Sequence, residues 1–151
     1  VGGRLWNILL IGVLGIALRI SLYGNYRAKR LADADGGGIK TVSVLIADLS
    51  GFPVAGYICF GRTPMTEGTW DLYWVVTHAE ARGRGIARSL IRAMELEVAD
   101  RGASAIRVET SQKESHGAAR RLYDRLGYPE HARFPDFYRV GDDLIVYYKR
   151  L

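Results

Sequence analysis

The chain has 151 residues, 48% of them hydrophobic, 11% aromatic and 25% charged, a composition that can bury the core of one domain and excludes a disordered chain. Seventeen arginines against four lysines leave a formal charge of +5, which suits an anionic partner such as a phosphate, a nucleic acid or a membrane surface without choosing among them. The single cysteine, Cys59, excludes an internal disulfide and fits a reducing compartment; set in an apolar run, it reads as a small core residue rather than a nucleophile.

Residues 5–18, "LWNILLIGVLGIAL", are apolar apart from one Asn and are bounded by Arg4 and Arg19. Fourteen residues fall short of the roughly 20 that cross a bilayer, and no small-residue cleavage pattern follows. The expectation is a buried helix or strand, with membrane association through 5–18 as the less favoured reading. The three glycines in "ADADGGGIK" mark a flexible loop, so the chain divides into an atypical segment, 1–40, and a main domain, 41–151. Residues 41–48 and 54–61 read as two strands joined by a hairpin at "LSGFP", residues 62–69 as a loop, and "WDLYWVVT" as a third strand. From Gly83 to Arg101 the period becomes helical. Ile86, Ala87, Leu90, Ile91, Met94 and Val98 share one face, and Arg88, Arg92, Glu95 and Asp100 share the other, with Gly102 as the stop. "SAIRVET" is a strand, "SHGAARRLYDRLG" a second amphipathic helix stopped by Gly127, and "DLIVYYKRL" a closing strand. "EHARFPDFYRVGDD" is left as a connection. Strand, helix, strand over 70–110 predicts a parallel pair with a right-handed crossover, so the class is α/β with antiparallel additions.

The junction "ARGRGIARSL" joins the third strand to the first helix. A helix start presents unpaired N–H groups and the positive end of the helix dipole, and open α/β sheets gather ligands at the carboxyl ends of their strands. Gly83 and Gly85 allow positive φ and close approach, and Arg82, Arg84 and Arg88 add charge; the chemistry this suits is a phosphate or pyrophosphate. The stretch is neither a P-loop nor a dinucleotide fingerprint. An arginine stripe with exposed aromatics, as nucleic-acid binding would require, is not seen, so nucleic acid is not an expected partner. His78, His116 and His131 have no ligand spacing, and no metal site is expected.

"RGRGIA" is similar to the R/Q-x-x-G-x-G/A signature of the GNAT superfamily of N-acetyltransferases, with Arg82, Gly85 and Ala87 at the signature positions. "HGAARRLYDRLGY" resembles the family's later N-x-x-A-x-x-L-Y-x-x-x-G-F helix through Ala119, Leu122, Tyr123, Gly127 and Tyr128, with His116 where the family usually has Asn. The resemblance runs from about residue 41 to the end, and residues 1–40 do not resemble the family's usual first strand and helices.

The resemblance implies a GNAT fold: a mixed, mostly antiparallel sheet with one splayed parallel strand pair and flanking helices. It implies acetyl-CoA as cosubstrate. The backbone of Gly83, Arg84, Gly85, Ile86, Ala87 and Arg88 would hold the pyrophosphate beside Arg82, with His116 as a further contact, and the pantetheine would lie along Val75, Val76 and Thr77. A primary amine, on a small molecule or a peptide, would attack the thioester directly. Tyr123 would protonate the departing thiolate, and Asp71 or Glu109 would serve as base. A cationic amine would suit Asp136, Asp142 or Asp143. A non-catalytic acyl-CoA-binding sensor is the rival reading. A cytoplasmic location is expected, and a homodimer is left open.

Overall fold

The computed structural model describes residues 7–11, 17–27 and 41–151. Its strands form one sheet: β1 (Asn7–Ile11), β2 (Ala17–Arg27), β3 (Thr41–Leu49), β4 (Phe52–Arg62), β5 (Thr69–Thr77), β6 (Ala105–Ser111), β7 (Glu130–Arg139) and β8 (Asp142–Arg150), in the order β1-β2-β3-β4-β5-β6-β8-β7. Every neighbouring pair is antiparallel except β5 and β6, which run parallel and are joined by helix α1 (Ile86–Asp100). Helix α2 (Gly117–Arg125) follows β6. The described part of the apolar N-terminal stretch supplies β1 and the start of β2, and β2 pairs with β3, so the sheet continues before residue 41. The glycine run at 36–38 lies outside the described residues. Among the described residues no helix is long and apolar enough to cross a membrane.

Both helices pack on one face of the sheet. Tyr147 and Lys149, two apart on β8 and so on one side of the pleat, meet Tyr123 of α2 and Glu95 of α1 respectively. Ile106 and Val108 of β6 lie opposite them and are buried in the same core with Leu90, Ile91, Met94 and Val98. Each such side chain contributes about 1.5 to 3 kcal/mol of gross burial free energy. The other face carries Asp71 of β5 with Arg107 and Glu109 of β6, and among the described residues no helix covers it.

One position on α1 departs from the sequence pattern. Glu95, expected on the solvent face, is 8% exposed and accepts from Tyr128 Oη (3.0 Å), Lys149 Nζ (2.8 Å) and Arg92 Nη1 (2.8 Å). Burial pushes its carboxyl up, but those donors outweigh it and hold the group below the usual glutamate value. Periodicity could not show this, because Lys149 and Tyr128 lie far along the chain.

Both helices stop where glycine was expected to stop them. Gly102 and Gly127 have φ of 78° and 76°, and each closes a Schellman motif. Ala103 N donates to Val98 O (2.9 Å) and Gly102 N to Ala99 O (2.9 Å); Tyr128 N donates to Tyr123 O (3.0 Å) and Gly127 N to Asp124 O (3.1 Å). The stretch read as a connection is instead strand β7, paired with β8. Pro135 and several charged residues hid it. An edge strand tolerates both, because one row of its backbone groups faces solvent.

Two consequences are measurable. A Cβ at Gly127 would meet nothing within 4 Å, so Gly127→Ala carries only the left-handed backbone penalty, about 1 to 2 kcal/mol, and lowers the melting temperature by roughly 2 to 8 °C. Glu95→Ala leaves the Lys149 ammonium without its carboxylate and is expected to cost about 3 to 5 kcal/mol by denaturant titration.

Candidate functional site

The site begins with a ladder that stops. β5 and β6 are in register only from Thr69↔Ala105 to Leu72↔Val108, and beyond those four pairs they diverge. At that point β5 also carries a bulge: Phe60 pairs with Leu72 and Cys59 with Trp74, so Tyr73 is the extra residue. The bulge reverses which side chains face the helices. Trp70 and Leu72 are in the core before it, and Val75 packs against the core after it, while Trp74 and Val76 face away and are exposed. From Tyr73 onward β5 stays paired with β4 on one side and has a free edge on the other.

The divergence opens a cleft of about 740 Å³ through the sheet. Asp71, Trp74, Arg107 and Glu109 line it from the bare face; His116, Ala119 and Tyr123 line it from the helix side. Arg107 ties the bare-face acids together, with Nε 2.8 Å from Asp71 Oδ1 and Nη1 3.4 Å from Glu109 Oε1. Asp71 is 7% exposed and its Oδ1 is occupied by the guanidinium, whereas Glu109 is exposed. The hydrogen bond from Arg107 to Asp71 raises the arginine's already high pKa.

Tyr123 is 4% exposed and packs against the rings of Tyr147 (5.4 Å between centroids) and Tyr128 (6.0 Å). Burial, helped by Tyr147, pushes its phenol up to about 12, so the hydroxyl keeps its proton at neutral pH. Its helix is fixed to the end of β6 by Arg120, whose Nη1 donates to Ser111 O (2.9 Å) and Lys113 O (2.7 Å). No sequence pattern marked Arg120 or Arg107. Period 2 along β6 places Arg107 and Glu109 on one face, which is the signal that was available.

The strand-to-helix junction forms a second part. His78 Nδ1 accepts from Glu80 N (3.3 Å) and starts a 3₁₀ turn, Ala79–Ala81, after which Gly83 and Gly85 turn the chain with φ of 75° and 78°. These angles delay the helix to Ile86, three residues later than the pattern suggested. The first recorded amide bond of α1 is Ser89 N to Gly85 O (2.9 Å), and among the described residues the amides of 83–88 have no acceptor. Arg82 and Arg88 are exposed, and Arg84 lies over the Phe52 ring at 5.5 Å. Val75 lines the cleft with Asp71, Glu109, His116 and Tyr123; Val76, Thr77 and the junction do not line it, but continue from the end of the same strand.

The acids expected to hold a cationic amine have other partners. Asp142, 3% exposed, accepts from Ser111 Oγ and pairs with Lys113 Nζ at 3.3 Å; the first of these contacts chiefly holds its carboxyl below the usual value. Asp136 accepts from Gly141 N (2.6 Å), and Asp143 from Asp136 N (3.1 Å) and Arg133 (3.3 Å). Asp136 and Asp143 shape the β7–β8 hairpin, and Asp142 ties the start of β8 to the end of β6. Cys59 is half-buried, which raises its thiol pKa and works against thiolate chemistry. Among the described residues no group of three or more His, Cys, Asp or Glu is placed to hold a metal ion.

The family model of the acetyltransferase (GNAT) domain matches residues 40–130. A crystal structure from Desulfovibrio desulfuricans, described as an acetyltransferase of the GNAT family, is 35% identical over 72% of this chain and 68% of its own, with a TM-score of 0.69. YncA from Salmonella typhimurium, solved with its cofactor acetyl-CoA, is 23% identical over 73% of this chain and 65% of its own, with a TM-score of 0.62. An aminoglycoside 6'-N-acetyltransferase complexed with coenzyme A is 20% identical over 72% of each chain, with a TM-score of 0.61. No curated protein matches the sequence.

The buried phenol gives a direct check. Because the unfolded chain releases a tyrosine proton near pH 10 and the folded site holds it to about 12, this group's stabilising contribution is complete below pH 10 and is lost as pH rises through 12. Carbon-13 NMR of labelled tyrosine is expected to show that the Cζ signal missing from Tyr123→Phe is still at its phenol position at about pH 11.

Proposed function

Because the chain belongs to the GNAT acetyltransferase family, we propose that it transfers an acetyl group from acetyl-CoA to a primary amine, by direct attack within a ternary complex. The observation that carries this reading is the divergence of β5 from β6, which gives one strand a free edge and joins both faces of the sheet through a single gap. A cosubstrate and an acceptor entering from opposite faces meet there. The catalytic unit is assigned to 41–151, with 1–40 as an accessory segment.

In this reading the free amides of 83–88 and the positive end of α1 bind the pyrophosphate, with Arg82, Arg84 and Arg88 supplying charge and His116 a further contact. The pantetheine pairs with the open edge of β5 at Val75, Val76 and Thr77 as an added strand would, and a β5 amide facing the gap stabilises the oxyanion. The acceptor comes from the bare face. Glu109, exposed and only loosely held by Arg107, takes the proton that frees the amine lone pair, directly or through water. Asp71 is the other acid within reach and holds Arg107 in place. Nitrogen then bonds to the thioester carbon and the carbon–sulfur bond breaks. The nitrogen gives a second proton to water in the cleft, and the leaving sulfur receives one from Tyr123, whose phenol recovers a proton from solvent, as Glu109 returns its own proton there. The products are an amide, coenzyme A as its thiol, and one proton released overall.

A phenol with a pKa near 12 remains a proton donor across the working range. Tyr123→Phe removes that donor and almost no volume. The expected result is a fall in kcat of about 10² to 10⁴ with the KM for acetyl-CoA nearly constant, measured by thiol release. Wild-type turnover in the phenylalanine variant would leave the reaction without this acid, and a fall in acetyl-CoA affinity alongside kcat would make Tyr123 a binding contact instead.

A further inference from the structure

We propose that the acceptor is an amino carboxylic acid, a small molecule carrying a primary amine and a carboxylate, with its amine at Glu109 and its carboxylate on Arg139. This rests on the reading of the cleft as an acetyltransferase site and names the substrate class.

The charges lining the cleft do not all cancel locally. Lys113 and Asp142 close on each other at 3.3 Å, and Asp142 is further held by Ser111. Arg107 is shared by two carboxylates, closely by Asp71 at 2.8 Å and loosely by Glu109 at 3.4 Å. One guanidinium against two carboxylates leaves that end of the cleft one charge negative. Arg139, exposed and opposite Asp142 in the β7–β8 ladder, lines the same cleft; Asp142 spends its hydrogen bonds on Ser111 and Lys113, and among the described residues no carboxylate lies within 4.0 Å of Arg139. Glu109 and Arg139 are therefore opposite charges in one cavity that do not meet each other. A simple cation would satisfy the acidic end and leave Arg139 facing an apolar body; a diamine would send its second ammonium toward a guanidinium. A zwitterion satisfies both ends, and the planar fork of an arginine matches a carboxylate in a bidentate way.

The backbone beneath Arg139 is built for this placement. Asp136 has φ of 52°, in the left-handed region, and the β7–β8 register shifts between Phe134 and Arg139. The distortion is held from both sides, by Gly141 N donating to the Asp136 carboxylate (2.6 Å) and Asp136 N donating to Asp143 (3.1 Å), with Arg133 bracing Asp143. Of the residues of β7, only Tyr138 and Arg139, just after the distortion, line the cleft. Two aspartates, one of them the strained residue itself, thus set the backbone that carries Arg139 to the acceptor side.

The test uses matched pairs: phenylalanine against phenethylamine, tryptophan against tryptamine, lysine against cadaverine and β-alanine against ethylamine, each with acetyl-CoA and thiol-release detection, plus calorimetry of acetyl-CoA binding. In at least one pair the amino acid is expected to exceed its amine in kcat/KM by about tenfold to a hundredfold, the range of one charge-assisted hydrogen bond. Arg139→Gln is expected to erase that ratio, while Arg125→Gln, on α2 and away from the cleft, keeps it. Amines turned over as well as their amino acids in every pair, an Arg139→Gln variant that retains the ratio, or no turnover of any pair by a chain that binds acetyl-CoA would each overturn the proposal and leave the acetyltransferase reading standing. Failure to bind acetyl-CoA at all would instead remove that reading, and the proposal with it.

Discussion

The candidate site depends on one limit in the hydrogen-bond ladder: β5 and β6 pair for four residues and then part. Two parallel strands buried side by side ordinarily keep pairing, because an unpaired backbone group away from water costs about as much as a lost hydrogen bond. Here the bulge at Tyr73 turns β5 at the last paired position, and the unpaired edges face a cleft rather than the core. What would be a defect in a closed sheet becomes a slot edged by free backbone groups.

The remaining structure keeps that slot open and lined. Core packing fixes α1 behind β5 through Leu90, Ile91, Met94 and Val98, so the junction at Gly83 and Gly85 is held at the strand's carboxyl end. The network of Glu95, Tyr128 and Lys149 locks α1 to the turn after α2 and to β8, while Arg120 ties α2 to the end of β6. Tyr123 therefore stands at the gap because three separate elements fix its helix. The Schellman closure at Gly127 places Tyr128 for that network, so a helix stop written in the local sequence also serves a long-range contact.

Electrostatics divide the cleft in a way that composition does not show. A surplus of arginine gives the chain its positive charge, yet several arginines close to the cleft are committed to protein partners: Arg107 to two acids, Arg120 to carbonyls and Arg133 to the hairpin. Net charge pointed toward anionic partners. The pairing pattern selects which positive groups remain to meet one, and those beside the cleft and at the end of β5 are Arg139 and the arginines at the start of α1.

Read alone, the sequence determined the features that rest on neighbours along the chain. The two amphipathic helices, their glycine stops, the hairpin between β3 and β4, and the parallel crossover followed from periodicity and turn residues, and the spacing of "RGRGIA" and "AARRLYDRLGY" carried the family. Tertiary structure decided everything that needs two distant residues in one place. It buried Glu95 by bringing Lys149 and Tyr128 to it, turned a charged, proline-bearing stretch into edge strand β7, and bound Asp71 to Arg107 across a ladder joining residues 36 apart in sequence. It also committed Asp142 to Ser111 and Lys113 and, among the described residues, left Arg139 in the cleft with no carboxylate within 4.0 Å. A local pattern records which face a side chain takes within its own element. The partner that neutralises it, or fails to, is set by the register between elements, and no single segment contains that information.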